Sequence, residues 1–373
     1  MEPANPPPSR PPGLSVVIVN YGSWPDVLRL VETLAGSGPV ASGDAEIVVV
    51  DNATPGPIPP PLLRPVAGLR LVLRGENGGF SAGVNAGWRA SRGPWLLVLN
   101  PDVVPGPGLL AEVRGRIDRF GGRAVAAPGV VGFGLRNPDG SRQPSVGAFP
   151  GLLRTAWEQL IPRHRRKYQP EWRLRPGPVD WVTGACMLVN AGLLAELGGM
   201  DEDFFLYYEE VDLCRSARDR GWAVEYDPGV SVVHLRPLQN RPISPKMRVI
   251  TRHSKLLYFR KHLPAWQFRA LCSTVRAEAR ARMAWSRARG RGREARSWRA
   301  VDRVARLLRA GVDLGGRSVL ALAEAVGDEA DDDEEGDGPG PRPVVATARY
   351  SPGRTLGRSQ RTRPSRPRKD GPA

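Results

Sequence analysis

Cysteine is scarce in this 373-residue chain, and its three copies, Cys186, Cys214 and Cys272, stand far apart without a CxxC spacing. Isolated thiols of this kind argue against a zinc knuckle or a disulfide framework and fit a reduced environment. Long apolar runs are missing as well, none approaching the ~20 residues needed to cross a bilayer. The opening stretch, MEPANPPPSRPPG, lacks the apolar core of a signal peptide. The expectation is therefore a cytoplasmic protein, with any membrane contact peripheral on the inner face of the membrane. Nucleotide-binding signatures are also lacking: there is neither a Walker A loop ending in GK[ST] nor a GxGxxG.

Acidic residues are outnumbered, 38 against 54 Lys and Arg, for a net charge of +16. The imbalance is local. Residues 241–310 hold 20 Lys and Arg against 3 Asp and Glu, so the rest of the chain is close to neutral. A basic face on the main domain is thus not required by composition.

What is present is a series of short apolar runs. Leu14–Val19, Glu46–Val50, Leu69–Leu73 and Trp95–Leu99 read as strands, separated by helix-compatible stretches near 25–35 and 81–91. Continuous apolar strands alternating with helices predict a mostly parallel sheet buried on both faces and flanked by helices, an α/β fold. Composition divides the chain into a Pro-rich N-terminus (1–12, expected to be disordered), a main domain (13–262), a basic helical extension (263–327) and a tail (328–373). The tail opens with eight acidic residues in 328–337, continues Pro- and Arg-rich, and is expected to be disordered.

In open α/β sheets, ligands bind beyond the carboxyl ends of the strands. The four runs are followed by Asn20 and Tyr21, Asp51 and Asn52, Glu76 and Asn77, and Asn100 and Asp102. Ordinary Asn/Asp turn chemistry accounts for any one of these pairs, and less readily for all four. In ENGGFSAGVNAG (76–87), Gly78, Gly79 and Gly83 surround a helix start, where backbone can approach a phosphate. In LLVLNPDV (96–103), alternation along an extended backbone puts Asn100 and Asp102 on one side, suited to a divalent cation; an Asn-Pro-Asp turn is the alternative. MDEDFFLYYEEVDLCRSARDRG (200–221) runs from an acidic, aromatic loop into a helix closed by Gly221. It offers Glu209, Glu210 and Asp212 as carboxylates for a general base. His234 ends a strand-like VSVVH, where a histidine is either structural or a metal ligand beside Asp102.

Taken with NPDGS (137–141), VTGACMLV (182–189) and VVHLRP (232–237), these motifs resemble family 2 glycosyltransferases, particularly their bacterial rhamnosyltransferase-like branch. The resemblance spans roughly residues 14–262. It implies a GT-A fold and an inverting single displacement, with Mg2+ or Mn2+ as cofactor and a dTDP- or UDP-linked sugar as donor. Rhamnose is the first expectation for the sugar, and the acceptor a glycan or lipid-linked saccharide of the cell surface. It further implies that Asp51 contacts the base or ribose, and that Asn77 and Asn85, with Asn20, Gly79 and Asn100, line the donor site. Asp102 matches the last acidic position of the family's DxD motif, and Asn100 stands where many relatives carry the first Asp. His234 matches a metal-binding histidine of related transferases. Glu210 matches the base, where many relatives have Asp. Trp181, Gly184 and Glu209 fall in the acceptor region.

Two other readings are open to the residues. The Arg-rich 241–310 segment with Trp266, Trp285 and Trp298 could pair phosphates and stack bases as a nucleic-acid binder, although it matches no known reader. A nucleotidyltransferase would need a glycine-rich, Lys- or Arg-containing signature near the first strand, which VVIVNYGS lacks. Residues 246–310 are expected to sit on an anionic membrane surface, with Leu256, Leu257, Phe259, Leu263 and Trp266 inserting.

Overall fold

The computed structural model describes residues 11–121, 127–158, 175–236 and 243–326. The first half runs β1 (Leu14–Asn20), α1 (Trp24–Ala35), α2 (Gly38–Ala41), β2 (Ala45–Asp51), α3 (Pro60–Leu63), β3 (Leu69–Leu73), α4 (Gly79–Ala90) and β4 (Trp95–Leu99). Next come β5 (Val103–Val104), α5 (Leu109–Gly121), β6 (Val130–Arg136), β7 (Arg142–Gln143), β8 (Val146–Gly147) and α6 (Leu152–Glu158). After these follow β9 (Gly177–Pro178), β10 (Trp181–Val182), β11 (Cys186–Asn190), α7 (Ala191–Leu197), α8 (Glu209–Asp219) and β12 (Val224–His234). Four helices close the described chain: α9 (Pro245–His262), α10 (Ala265–Ala288), α11 (Gly292–Arg309) and α12 (Gly316–Glu324).

The main sheet has the order β3-β2-β1-β4-β11-β6-β12-β5. Its first four strands are parallel, as the apolar runs predicted, and β11 enters antiparallel between β4 and β6. Alternation along β1, β2 and β4 sends Val17, Val19, Val48, Val50 and Val98 to one core and Val16, Ile18, Ile47, Val49 and Leu97 to the other. Burial on both faces is why these strands carry no polar alternation. β3 departs from that expectation: it is the edge strand, and its side chains are half-buried or exposed.

The glycines of the 76–87 stretch serve packing. A Cβ on Gly83 would meet Val19 Cγ1 at 2.4 Å, so glycine lets α4 lie directly on β1. Gly79 has φ +89°, and a Cβ there would fall 2.2 Å from the Phe205 carbonyl oxygen, which accepts a hydrogen bond from Phe80 N. These residues bring helix to strand and loop to loop.

The basic helices fold onto the sheet domain. Leu256, Leu257 and Phe259 are buried in the same core as Val17 and Val50, and Leu263 is half-buried, so none is a membrane-inserting residue; Trp266 alone of that set is exposed. Trp298 is buried with the Arg248, Arg282 and Arg252 guanidiniums 4.7, 5.2 and 5.8 Å from its ring, which removes it as a base-stacking platform. The composition boundary at 262/263 falls between α9 and α10, and packing runs across it, since α11 and α12 both rest on α9. The tail from 328 and the first ten residues lie outside the described residues. All three cysteines are free and buried, and burial pushes the Cys214 thiol up to about 12 and the Cys272 thiol up to about 11. Neither is a nucleophile near neutral pH. Among the described residues, no helix is long and apolar enough to cross a membrane.

The bundle holds a pH-sensitive group. His253 on α9 is fully buried and donates from Nε2 to the Leu314 carbonyl at 2.7 Å. Burial pulls its pKa down to about 4, against an opposing pull from that hydrogen bond. Between the ordinary histidine value and about 4, the unfolded chain takes up a proton that the folded chain refuses, so stability falls as pH drops through that window. The expected loss is about 3 kcal/mol. Urea melts of the wild type and His253→Gln at pH 7 and pH 4 should show this decline to be smaller in the variant by about that amount.

Candidate active site

The polar residues closing the parallel strands form one network. Asp51, at the end of β2, accepts from Asn20 Nδ2 at 3.0 Å, and Asn20 Nδ2 also reaches Thr54 Oγ1 at 2.9 Å. Thr54 Oγ1 in turn accepts from Gly22 N at 3.0 Å, tying the loop after β1 to the loop after β2. Asn52 donates to Asn77 Oδ1 at 2.8 Å and to the Gly79 carbonyl at 2.9 Å, and Gly79 N donates to Asn77 Oδ1 at 3.0 Å. Asp51 and Asn20 are thus bonded to each other, and Asn77 to Asn52, the residue after Asp51. Thr54 and Asn52 are the connecting members, legible only as part of VVVDNAT.

Asn85 is different. Its amide donates to the Met200 carbonyl and to Glu202 Oε1, both at 2.8 Å, and its oxygen accepts from Met200 N at 2.8 Å. Buried and saturated by these bonds, it fastens α4 to the loop before α8 and does not line the donor site.

Asn100 and Asp102 are not on one side of an extended strand. β4 stops at Leu99 and Val103 N donates to the Asn100 carbonyl at 3.2 Å, so Asn-Pro-Asp is a turn between β4 and β5. What positions Asp102 is long-range pairing: β5 lies antiparallel to the end of β12, with Val103 opposite His234. His234 Nε2 then stands 3.3 Å from Asp102 Oδ1, while the Gln143 side-chain amide is hydrogen-bonded to His234 Nδ1 at 3.0 Å and fixes the ring orientation. Arg236 Nε lies 3.6 Å from Asp102 Oδ2 and its guanidinium also pairs with Asp26 at the start of α1.

A carboxylate and an imidazole side by side suit Mn2+ or Mg2+ when a diphosphate supplies further oxygens. Among the described residues no third His, Cys, Asp or Glu joins them. The pair therefore fits a cation shared with a ligand rather than a closed protein cage.

The third element is α8. Its first turn carries Glu209, Glu210 and Asp212, all buried. A Cβ built on Gly184 would lie 3.9 Å from Glu210 Cβ and 3.4 Å from the Phe80 ring. Asn100 N donates to the Ala185 carbonyl at 3.0 Å, so the Gly184 strand entry also borders the turn leading to Asp102. Trp181 is a wall of the core: it is fully buried and its indole donates to the Ala148 carbonyl at 3.0 Å.

Asp212 faces the other way. It accepts from His262 Nε2 at 2.6 Å and Lys261 Nζ at 3.0 Å, which anchors the end of α9. Burial pulls the Lys261 ammonium down, but Asp212 and Asp201 more than reverse this and leave it raised. Hydrogen bonds to a charged group are worth about 1.5–3 kcal/mol each, and Lys261, 36% exposed, keeps Asp201 as a partner when Asp212 is neutralised. Asp212→Asn should lower the stability of the whole chain by roughly that order, read by urea melts, while the folded fraction keeps its turnover.

Backbone strain marks the same loops. Among the described residues only Ala53, Tyr207 and Tyr208 combine a side chain with positive φ, at 59°, 68° and 68°. Ala53 follows Asp51 and Asn52, and the tyrosines precede Glu209 and Glu210. Each costs of order 1–3 kcal/mol, and such strain clusters at functional sites.

Sequence comparison bears on this geometry directly. Residues 15–198 match the sequence model of Glycosyl transferase family 2. The N-acetylglucosaminyl-diphospho-decaprenol L-rhamnosyltransferase of Mycobacterium tuberculosis is 31% identical over 242 residues, covering 59% of this chain and 75% of that protein. A low-salt glycan biosynthesis hexosyltransferase of Haloferax volcanii is 28% identical, covering 60% of this chain and 68% of that one. Among solved structures, a mannosyltransferase from Pyrobaculum calidifontis in complex with GDP-Man and Mn2+ aligns with a TM-score of 0.43 and 17% identity, covering 86% and 88% of the two chains. An alignment that loose adds nothing to the assignment. With a relative this similar across three quarters of its length, and with the family's motifs gathered at the carboxyl ends of a parallel sheet, the chain belongs to glycosyltransferase family 2, in its rhamnosyltransferase-like part, and has the GT-A fold.

Proposed function

We propose that this glycosyltransferase moves a sugar, rhamnose first among candidates, from a dTDP- or UDP-linked donor to a hydroxyl of a glycan or lipid-linked saccharide in cell-surface glycan synthesis, inverting the anomeric carbon. The observation that carries the reading is the convergence of three carboxylates from separate motifs at one end of the sheet: Asp51 closing β2, Asp102 in the turn after β4, and Glu210 against the entry to β11. The Mycobacterium tuberculosis relative, an L-rhamnosyltransferase acting on N-acetylglucosaminyl-diphospho-decaprenol, supports both the sugar and the lipid-linked acceptor class.

In this reading Asp51, with Asn20 and Asn77, holds the nucleoside by accepting from its ribose or base. Asp102 and His234 would hold a Mg2+ or Mn2+ ion, whose chemistry is to offset the charge of the diphosphate leaving group. Glu210 takes the proton from the acceptor hydroxyl as that oxygen attacks the anomeric carbon and the nucleotide diphosphate departs. A single displacement inverts configuration. Gly184, with no side chain beside Glu210 and Phe80, leaves room for the acceptor.

The test is a panel of dTDP-, UDP- and GDP-linked sugars offered to the purified full chain with Mn2+, reading nucleotide release and the product anomer by NMR. Turnover with a dTDP- or UDP-sugar and an inverted product is expected. Turnover only with GDP-sugars, or a retained anomer, would overturn the reading.

A further inference from the structure

We propose that α6 and the first turn of α10 form a docking face for an anionic phospholipid bilayer. Leu153 is 88% exposed, Trp157 64% and Trp266 63%, the most exposed large apolar side chains among the described residues. Leu153 and Trp157 stand one turn apart on one face of α6. Leu152 N donates to Gln267 Oε1 at 3.1 Å, which seats α6 against the residue after Trp266. Leu153 and Trp266 therefore each adjoin a residue of this contact between α6 and α10, and exposed apolar side chains on two neighbouring helices are what a docking face offers.

Charge decides what kind of surface this fits. Neither α6 nor α10 has an acidic residue in its first turn. Arg269 is exposed one turn beyond Trp266, and Arg309, on the antiparallel α11, donates to Ser273 Oγ at 2.7 Å, so it and Arg306 border the same end. Arg269 and Arg306 have no ion-pair partner among the described residues. Tryptophan and leucine ringed by arginine is the pattern of a surface that lies in a bilayer interface, the apolar groups entering the headgroup boundary and the arginines meeting lipid phosphates. An acidic protein partner would be met by the arginines alone and would leave the apolar side chains unused.

Position supports the assignment. α6 continues from β8, whose partner β10 packs under α8, the helix bearing Glu210. The Phe149 ring at the root of α6 is flanked by the Arg215 and Arg218 guanidiniums from α8, at 5.3 and 5.6 Å. Docking through α6 thus turns the C-terminal half of α8, where Arg215 and Arg218 stand, toward the membrane. The proposal does not depend on which sugar or acceptor is used.

Full-length protein is sedimented with vesicles of phosphatidylglycerol and phosphatidylcholine, and separately with phosphatidylcholine alone. Binding to the anionic vesicles is expected. The triple variant Leu153→Ser/Trp157→Ser/Trp266→Ser should bind them at least ~10-fold more weakly, with donor hydrolysis unchanged because none of these residues lies in the catalytic site. Arg269→Ala/Arg306→Ala should reduce the preference for phosphatidylglycerol while leaving hydrolysis intact, an independent reading of the charge term. Binding by the triple variant equal to wild type, or no vesicle binding by the wild type, overturns the proposal. So does a wild-type dimer in sedimentation velocity that the triple variant dissociates, since the face would then join two copies of the chain.

Discussion

Glu210→Gln is expected to fold, to bind nucleotide-sugar with wild-type affinity, and to turn over at least ~10²-fold more slowly, because loss of a general base typically costs 10²- to 10⁴-fold. Three carboxylates compete within one turn of α8, and their surroundings separate them. Asp212 is held by Lys261 and His262 from α9 and cannot also meet an acceptor. Successive residues on a helix point about 100° apart, so Glu209 and Glu210 cannot both face one hydroxyl squarely. It is Glu210 whose Cβ lies beside Gly184 and Phe80, and it is only 5% exposed, enclosed enough to keep bulk water from competing for the proton. Single-turnover rates of Glu209→Gln and Glu210→Gln, with nucleotide affinity measured in parallel, distinguish the two. A normal rate for Glu210→Gln and a dead Glu209→Gln would move the base by one residue and leave the displacement mechanism standing.

The second large effect is expected at Asp102. Asp102→Ala should abolish Mn2+-dependent binding of a nucleoside diphosphate, seen by calorimetry as a loss of at least ~10²-fold in affinity, since even outer-shell partners of metal ligands are worth 10- to 100-fold. A structural role is the competing account, because Asp102 also faces Arg236, which in turn pairs with the buried Asp26. That account predicts a lower melting temperature with metal-dependent affinity intact. His234→Ala separates them further: it removes the imidazole 3.3 Å from Asp102 while leaving the Arg236 contact, and should weaken Mn2+-dependent binding without touching metal-free nucleotide binding. Undiminished Mn2+-dependent affinity in Asp102→Ala would remove its metal role.

Local pattern carried the parallel half of the sheet. Apolar runs of five to seven residues alternating with helices point to strands covered on both faces, so β1, β2 and β4 were legible, and so were the polar residues that end them, whereas the edge position of β3 was not. On α8, Val211, Cys214 and Ala217 stand at helical spacing, and all three are buried. What the sequence could not decide was partnership across distance. Asn85 looks like a donor-site residue until the Met200 backbone, 115 positions away, is found saturating its amide. That Gly83 has to be glycine for α4 to lie on Val19 could not be read from its neighbours in the chain. Leu256 and Phe259 read as an apolar face without saying what covers it, and the answer, the core of the enzyme rather than a bilayer, came only from the packing of α9.

The sequence by itself determined the strands, the ends at which chemistry gathers, the candidate base and the family, because each depends on residues close together in the chain. Only the tertiary structure decided that the turn after β4 delivers Asp102 to His234, that Asp212 belongs to α9 and that α6 is seated against Gln267 of α10. Those facts rest on strand pairing and helix packing between segments far apart in sequence, and periodicity within a segment says which face is apolar but not which surface will meet it.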